Sequence, residues 1–306
     1  MNKSKMNKGI ILYNCFSKTQ FKTVIRYKNE FAKLGISVDL KRNNELKIGI
    51  DSKGDIFNNE FDYDFCLYYD QDEYIGRMLE KNNIRLFNPI TSIINCADKM
   101  LTHIVLANNQ IKMPKTIPGL HCYSENSQYT DKMIASIIKQ LKLPIVFKLC
   151  YGGCGDNVFK VDTFEELKKI TNANIQTKHL FQEYIKQSSG KDVRVIVIGH
   201  KVVGAMLRIN DSDFRANLNQ QGKGENYLLP KSAKKLAERV SVLLNLDYCG
   251  IDLLFNEKND FMVCEVNSNA YITGFEKATK INVAEWYAKY IIEQVYDKNY
   301  LLTLQK

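Results

Sequence analysis

The sequence predicts an α/β (α+β) protein built in three lobes, and three observations predict it. Strand-length apolar runs alternate with helical patterns as far as Pro89. A glycine-rich hairpin interrupts the middle of the chain. The most apolar strands, near the C-terminus, carry two acids and an amide among their apolar residues. The alternation is the pattern of a mostly parallel sheet with helices on its faces.

The elements follow in order. Ile10–Tyr13 reads as a strand, and Phe21–Leu34 has apolar residues at helical spacing and is stopped by Gly35. Ile36–Leu40 and Asp64–Tyr69 read as strands, Tyr74–Lys81 as a helix and Arg85–Phe87 as a short strand. Asn88-Pro89 ends this first lobe, expected over residues 1–90. One helix is then expected over Ile93–Asn108, with Pro114 and Pro118 marking a connection, and another over Asp131–Leu141. Ile145–Leu149 enters a glycine-rich turn and leaves through Val158–Val161, a hairpin that belongs to a central lobe expected over residues 91–178. Thr163 and Glu166 form a capping box for the next helix, to Ile170. The last lobe, residues 179–306, is expected to hold strands at Leu180–Tyr184, Asp192–Ile198 and Lys201–Arg208, the last two joined by Gly199-His200. A polar stretch from Asn210 to Gly224 leads to a helix at Lys231–Leu244. Strands at Tyr248–Phe255 and Asp260–Val266 and a helix at Asn282–Val295 close the chain.

Composition narrows the function. No apolar run reaches the roughly 18–20 residues a membrane-spanning helix needs, so no membrane partner is expected. The basic start, Met1 to Lys8, precedes an apolar run too short for an export signal, which predicts a cytoplasmic protein. Eight cysteines are scattered without a C-x-x-C pair and there are only four histidines, so a zinc array is excluded and the thiols are expected reduced. The net charge of +9, from 43 basic and 34 acidic residues, is spread along the chain rather than gathered in one arm. Solvated surface explains it, and nucleic acid is not the expected partner.

Three groups of residues carry chemistry. Lys148, at the end of an apolar strand, precedes Gly152, Gly153 and Gly155, which suits a flap whose amides fold over phosphates while the lysine neutralises charge. It is not a P-loop, and an ordinary glycine hairpin with a solvated lysine is an equal alternative. Glu265 and Asn267, two apart, project from the same face of a strand. If the strand of Asp252 pairs with theirs, three hard oxygen ligands converge, the set that Mg²⁺ prefers. Arg215 and Asn217, with Arg208 before them, suit a transferring phosphoryl group, and a solvated basic loop is again the plain alternative.

Taken together, these parts resemble the ATP-grasp superfamily, and within it the RimK-type carboxylate–amine ligases. Asn88-Pro89, Ala97-Asp98-Lys99-Met100, Pro144-Ile-Val-Phe-Lys148 with its glycine loop, Gln182-Glu183-Tyr184-Ile185, Gly190-Lys-Asp192-Val-Arg194, Asp213-Phe-Arg215-Ala-Asn217 and Gly250-Ile-Asp252 through Glu265-Val-Asn267 stand in the family's order. The resemblance runs from about Asn88 to Tyr290. It implies an ATP-grasp fold behind a Rossmann-like N-terminal lobe and an ADP-forming ligase. A substrate carboxylate attacks the γ-phosphate, and an amine, such as an amino acid, displaces phosphate from the resulting acyl-phosphate. It also implies that Lys99 and Lys148 bind phosphates, that Gln182 to Ile185 hold adenine by their backbone, and that Asp192 takes the ribose hydroxyls. Asp252, Glu265 and Asn267 are implied to hold two Mg²⁺ ions, replaceable by Mn²⁺. Arg215 and Asn217 are implied to steady the phosphoryl group, with Arg208 a further contact. Cys150 and Cys154 need no catalytic role.

Two departures from the family pattern bear on substrate. Ser268-Asn269-Ala270-Tyr271 stands where the family runs through Ser-Pro-Gly, and Asn157 replaces the last flap glycine, a residue type that reaches the left-handed conformation. Glutamate as the added amino acid is therefore open, and so is the acceptor, whether protein, peptide or small carboxylate. An ATP-binding module that has lost turnover is the alternative function, and a homo-oligomer is compatible with the chain.

Overall fold

A computed structural model of the chain describes residues 7–58, 61–124, 126–153, 155–218, 222–258 and 260–296. Cys154 and residues 219–221 of the expected polar stretch lie outside them. Among the described residues no helix is long and apolar enough to cross a membrane.

The first sheet is parallel. Its strands are β1 (Lys8–Tyr13), β2 (Ser37–Arg42), β5 (Phe65–Tyr69) and β6 (Leu86–Phe87), in the order β2-β1-β5-β6. The inner strands are apolar at nearly every position because both faces are covered. Helix α1 (Gln20–Lys33) packs Val24, Tyr27 and Phe31 on one face, in a core shared with Val283, Tyr287 and Ile291 of the last helix, α9 (Val283–Val295). Helix α2 (Glu73–Lys81), capped by Asp72, covers the other face with Leu79. A small hairpin, β3 (Ile48–Ile50) with β4 (Ile56–Asn58), stands outside this sheet. It escaped the sequence reading because three-residue strands leave no measurable periodicity.

The single helix expected over Ile93–Asn108 is two, α3 (Ile90–Ala97) and α4 (Lys99–Leu106). Asp98 breaks it. Its backbone is extended, and its carboxylate accepts from the amides of Met100 and Leu101, capping α4. The break sets Lys99 in the first turn of a new helix, buried beneath the hairpin.

The second sheet is antiparallel, in the order β7-β10-β8-β9: β7 (Thr116–Pro118), β8 (Ile145–Leu149), β9 (Val158–Val161) and β10 (His179–Glu183). Helices α5 (Asp131–Leu141) and α6 (Phe164–Ala173) bury Ile134, Ile137 and Leu167 on it. The Thr163–Glu166 capping box forms as its spacing predicts. The third sheet has the order β13-β12-β11-β14-β15: β11 (Lys191–Ile198), β12 (Lys201–Ile209), β13 (Lys223–Asn226), β14 (Tyr248–Phe255) and β15 (Phe261–Asn267). Helix α7 (Lys231–Leu243) packs beneath it with Leu106 of α4, and α8 (Thr273–Thr279) lies against β12.

Asn88 joins the first sheet to the third. Its side-chain amide donates to the carbonyls of Tyr248 and Ser268 at 2.9 and 2.8 Å and accepts from the Tyr248 amide at 2.9 Å. The Asn-Pro pair legible in the sequence is thus a fastening between parts of the chain 160 residues apart.

Candidate active site

Sheets two and three face one another across a cleft lined by Lys148, Tyr184, Asp192, Arg215, Asp252 and Glu265. Val146, Leu254, Ile185 and Phe214 supply its apolar part. Lys148 and Asp252 both line it.

The register of β14 and β15 delivers the acidic group. Asp252 lies directly across from Glu265, and Gly250 across from Asn267. Glu265 and Asn267, two apart, face the same side. The Glu265 carboxylate is part-exposed, and among the described residues its one ion-pair partner is Lys99, 3.8 Å from Oε1. Lys99 Nζ also donates to the carbonyl of Gly152 at 2.7 Å, so one ammonium ties flap to carboxylate.

Lys148 is buried beside β15. Its Nζ lies 3.5 Å from Cys264 Sγ, the one hydrogen-bond partner it has among the described residues. A buried ammonium facing only a thiol is under-compensated, and an anion in the cleft would complete it.

The flap is closed against the loop before β13. Arg215 Nη1 donates to the Gly155 carbonyl at 2.6 Å, while Nε and Nη2 hold Asp213. A Cβ on Gly155 would stand 3.1 Å from Asn217 Oδ1 and 3.3 Å from Arg215 Cδ, and its φ of 82° is left-handed, so glycine permits this approach. Asn157 does not use the left-handed conformation; its side-chain amide reaches the Tyr151 carbonyl at 3.5 Å instead.

The Gln182 side chain is committed elsewhere, while the residue itself lines the cleft. Its side-chain amide donates to Thr116 Oγ1 and to His103 Nε2, and it is fully buried. Burial, with the Lys148 ammonium nearby, pushes His103 down to about 4, so the ring is neutral and accepts at Nε2. The β10 ladder ends at Glu183, which leaves the backbone of Tyr184 and Ile185 outside it, at the cleft.

Three buried charges and the part-buried Arg194 alternate beneath the cleft. Arg208 grips Asp192 through two hydrogen bonds of 2.6 Å and reaches Asp252 Oδ2 at 2.9 Å. Arg194 closes on both oxygens of Asp252 from the neighbouring strand. Both guanidiniums hold Asp252 below the usual carboxylate range against its burial, whereas burial wins at Asp192 and raises it. The sequence reading gave Arg194 no role. Its signal was there, since Asp192 and Arg194 share one face of a strand otherwise apolar, but the partners depend on register. Cys264 and Phe214 were likewise missed, and nothing local marks them.

The description "RimK-like ATP-grasp domain" matches residues 96–291 of this chain. The chain belongs to that family. An uncharacterised protein of Mycoplasma genitalium is 35% identical over 221 residues, 71% of this chain and 77% of that protein. Human beta-citrylglutamate synthase B is 37% identical over 223 residues, 72% of this chain but only 56% of the human protein. In fold, the ATP-grasp ligase PsnB, solved with a precursor variant, Mg and ADP, superposes with a TM-score of 0.70 at 14% identity, covering 94% of this chain and 98% of PsnB. The RimK-like chain is an ATP-grasp ligase, and ATP-dependent amide-bond formation is its reaction class. ATP and Mg²⁺ are what such ligases use. The module without turnover is not favoured.

Proposed function

We propose that this ligase joins an amino acid, with L-glutamate the first to test, to a small or peptide carboxylate through an acyl-phosphate, in the cytoplasm. The seven cysteines among the described residues are all free, which agrees with a reducing compartment. The observation that carries the reading is the buried Lys148 ammonium, whose one hydrogen-bond partner among the described residues is a thiol, in the same cleft as the facing pair Asp252 and Glu265.

In this reading the three lobes are residues 1–90, 91–178 and 179–306. The backbone of Glu183 to Ile185 holds adenine against the apolar wall, and Asp192 shares itself between Arg208 and the ribose. Lys148, Lys99 and the amides near Gly152, Gly153 and Gly155 take the phosphates. The metal ligands fit: Glu265 and Asn267 are hard oxygen donors left largely uncommitted, and Asp252, though held by two guanidiniums, retains one lone-pair position, on Oδ1. Two Mg²⁺ ions, replaceable by Mn²⁺, would offset the charge on the phosphate oxygens.

The substrate carboxylate oxygen bonds to the γ-phosphorus as the bond to ADP breaks. The amine nitrogen then bonds to the acyl carbon, phosphate leaves and a proton is lost. Arg215 and Asn217, against the flap, steady the phosphoryl group, and Arg208 lies next to it. No enzyme nucleophile takes part.

The test is ADP release from the purified chain with ATP and Mg²⁺ over paired carboxylates and amines, L-glutamate among the amines. Release that requires both partners is expected. ATP binding without ADP release for every pair would return the reading to a module without turnover.

A further inference from the structure

The third sheet ends in an open edge. Its outermost strand, β13, pairs with β12 on one side only, and all four of its residues, Lys223 to Asn226, are exposed. The register tells which backbone groups are left over. Tyr227 donates its amide to the Ala205 carbonyl at 3.0 Å, and two and four residues earlier Glu225 lies across from Leu207 and Lys223 across from Ile209. In an antiparallel ladder such bonded pairs alternate with pairs whose amides and carbonyls point away. Lys223 and Glu225 therefore bond inward to β12, while Gly224 and Asn226 turn their amides and carbonyls to the open side.

The side chains add a charge pattern. Residues two apart share a face of a strand, so Lys223 and Glu225 project together. Among the described residues neither forms an ion pair. Charge on an edge commonly blocks pairing, because a lysine brought against another edge meets no counter-charge. This strand supplies both signs, and their order is self-complementary. When two copies lie antiparallel with Gly224 across from the partner's Gly224, each Lys223 stands opposite the partner's Glu225.

The backbone parity suits the same register. The outward amide and carbonyl of Gly224 meet those of the partner's Gly224, and Asn226 comes opposite the partner's Gly222. The lysine and glutamate then occupy the pairs without hydrogen bonds, where side chains approach most closely. Leu228, 94% exposed just past the strand, continues along the same edge and adds apolar surface to it.

We propose that two copies of this chain pair antiparallel along β13, about a twofold axis at Gly224, joining their third sheets into one. The proposal goes beyond the ligase reading and does not depend on it. A second copy is the occupant because the strand's own sequence is its charge complement, and a twofold axis makes each contact twice. The pairing also bears on the candidate site. β13 follows the loop of Arg215 and Asn217, and the Gly222 amide bonds the Asn217 carbonyl at 3.3 Å, so a fixed β13 steadies the loop that meets the flap.

The test is sedimentation velocity of the full chain over a concentration series. Wild type is expected to interconvert between monomer and dimer. Glu225→Lys sets lysine against lysine at both pairs and should raise the dimer dissociation constant at least about tenfold. Adding Lys223→Glu to it restores opposite charges and should return the constant to within about threefold of wild type. Asn226→Pro removes an outward amide, leaves the β12 ladder intact and should also weaken the dimer. A chain that stays monomeric throughout the series overturns the proposal. So does a dimer that Glu225→Lys leaves equally tight, or a charge-swapped pair that stays as weak as the single variant. Should Glu225→Lys not fold, Asn226→Pro carries the same expectation.

Discussion

Arg208 holds Asp192 by a parallel pair of 2.6 Å hydrogen bonds, both groups buried and facing each other across β11 and β12. The guanidinium also touches Asp252, so it stands between the group proposed for ribose and a group proposed for metal. Removing it strips the buried Asp192 carboxylate of the guanidinium that pairs it. Arg208→Ala is expected to destabilise the fold by about 3–5 kcal/mol, measured by urea denaturation. Arg208→Lys should recover part of the loss, since a point charge replaces a fork.

Glu265 tests the metal site. Its carboxylate faces Lys99 and lies across from Asp252. Glu265→Ala is expected to abolish substrate-dependent ADP release while leaving most of the ATP affinity, because the adenine and ribose contacts lie elsewhere. Turnover at the wild-type rate would overturn the assignment.

The flap is pinned by two cations, Lys99 on Gly152 and Arg215 on Gly155. Arg215→Ala should raise amide hydrogen exchange at residues 155–158 several-fold in the nucleotide-free protein. ATP with Mg²⁺ should slow exchange there in the wild type, as phosphate gathers the flap. Equal exchange in wild type and variant would show that Arg215 does not restrain it.

Asn88 makes three buried hydrogen bonds to backbone groups of another sheet. Asn88→Ala leaves those groups unmet and is expected to cost about 3 kcal/mol, read as a lower melting temperature. Asn88→Asp should also destabilise, because it cannot donate to the Tyr248 and Ser268 carbonyls.

His103 gives a pH dependence with a definite sign. Its folded value of about 4 lies below the 6.5 of the free side chain, so the unfolded chain takes up the proton first. The stability this provides is complete above pH 7 and is lost as pH falls from 6.5 toward 4, about 3 kcal/mol in all. Asp70 and Asp247, raised by burial, act in the opposite direction at acid pH, so wild type must be compared with His103→Gln. The variant should lose less stability between pH 7 and pH 5, followed by denaturant midpoints.

Local pattern determined much of this protein. Alternation fixed the parallel sheet, and Thr163 with Glu166 fixed the start of a helix. Lys148 with its glycines fixed the flap hairpin, and the two-residue period put Glu265 and Asn267 on one face. These are readable because each depends on neighbours within a few positions. Tertiary structure decided the rest. It set Asp252 opposite Glu265, put Arg208 between two carboxylates, turned Asn88 into a fastening and brought Asn269 to Asp70. Asp98 shows the boundary between the two: its capping chemistry was in the sequence, but apolar spacing ran straight through it. What joins these pairs is strand register and the packing of one sheet on another, which bring together residues as many as 199 positions apart. No periodicity within a single segment carries that information, because the free energy that selects the partner is released only when both segments are in place.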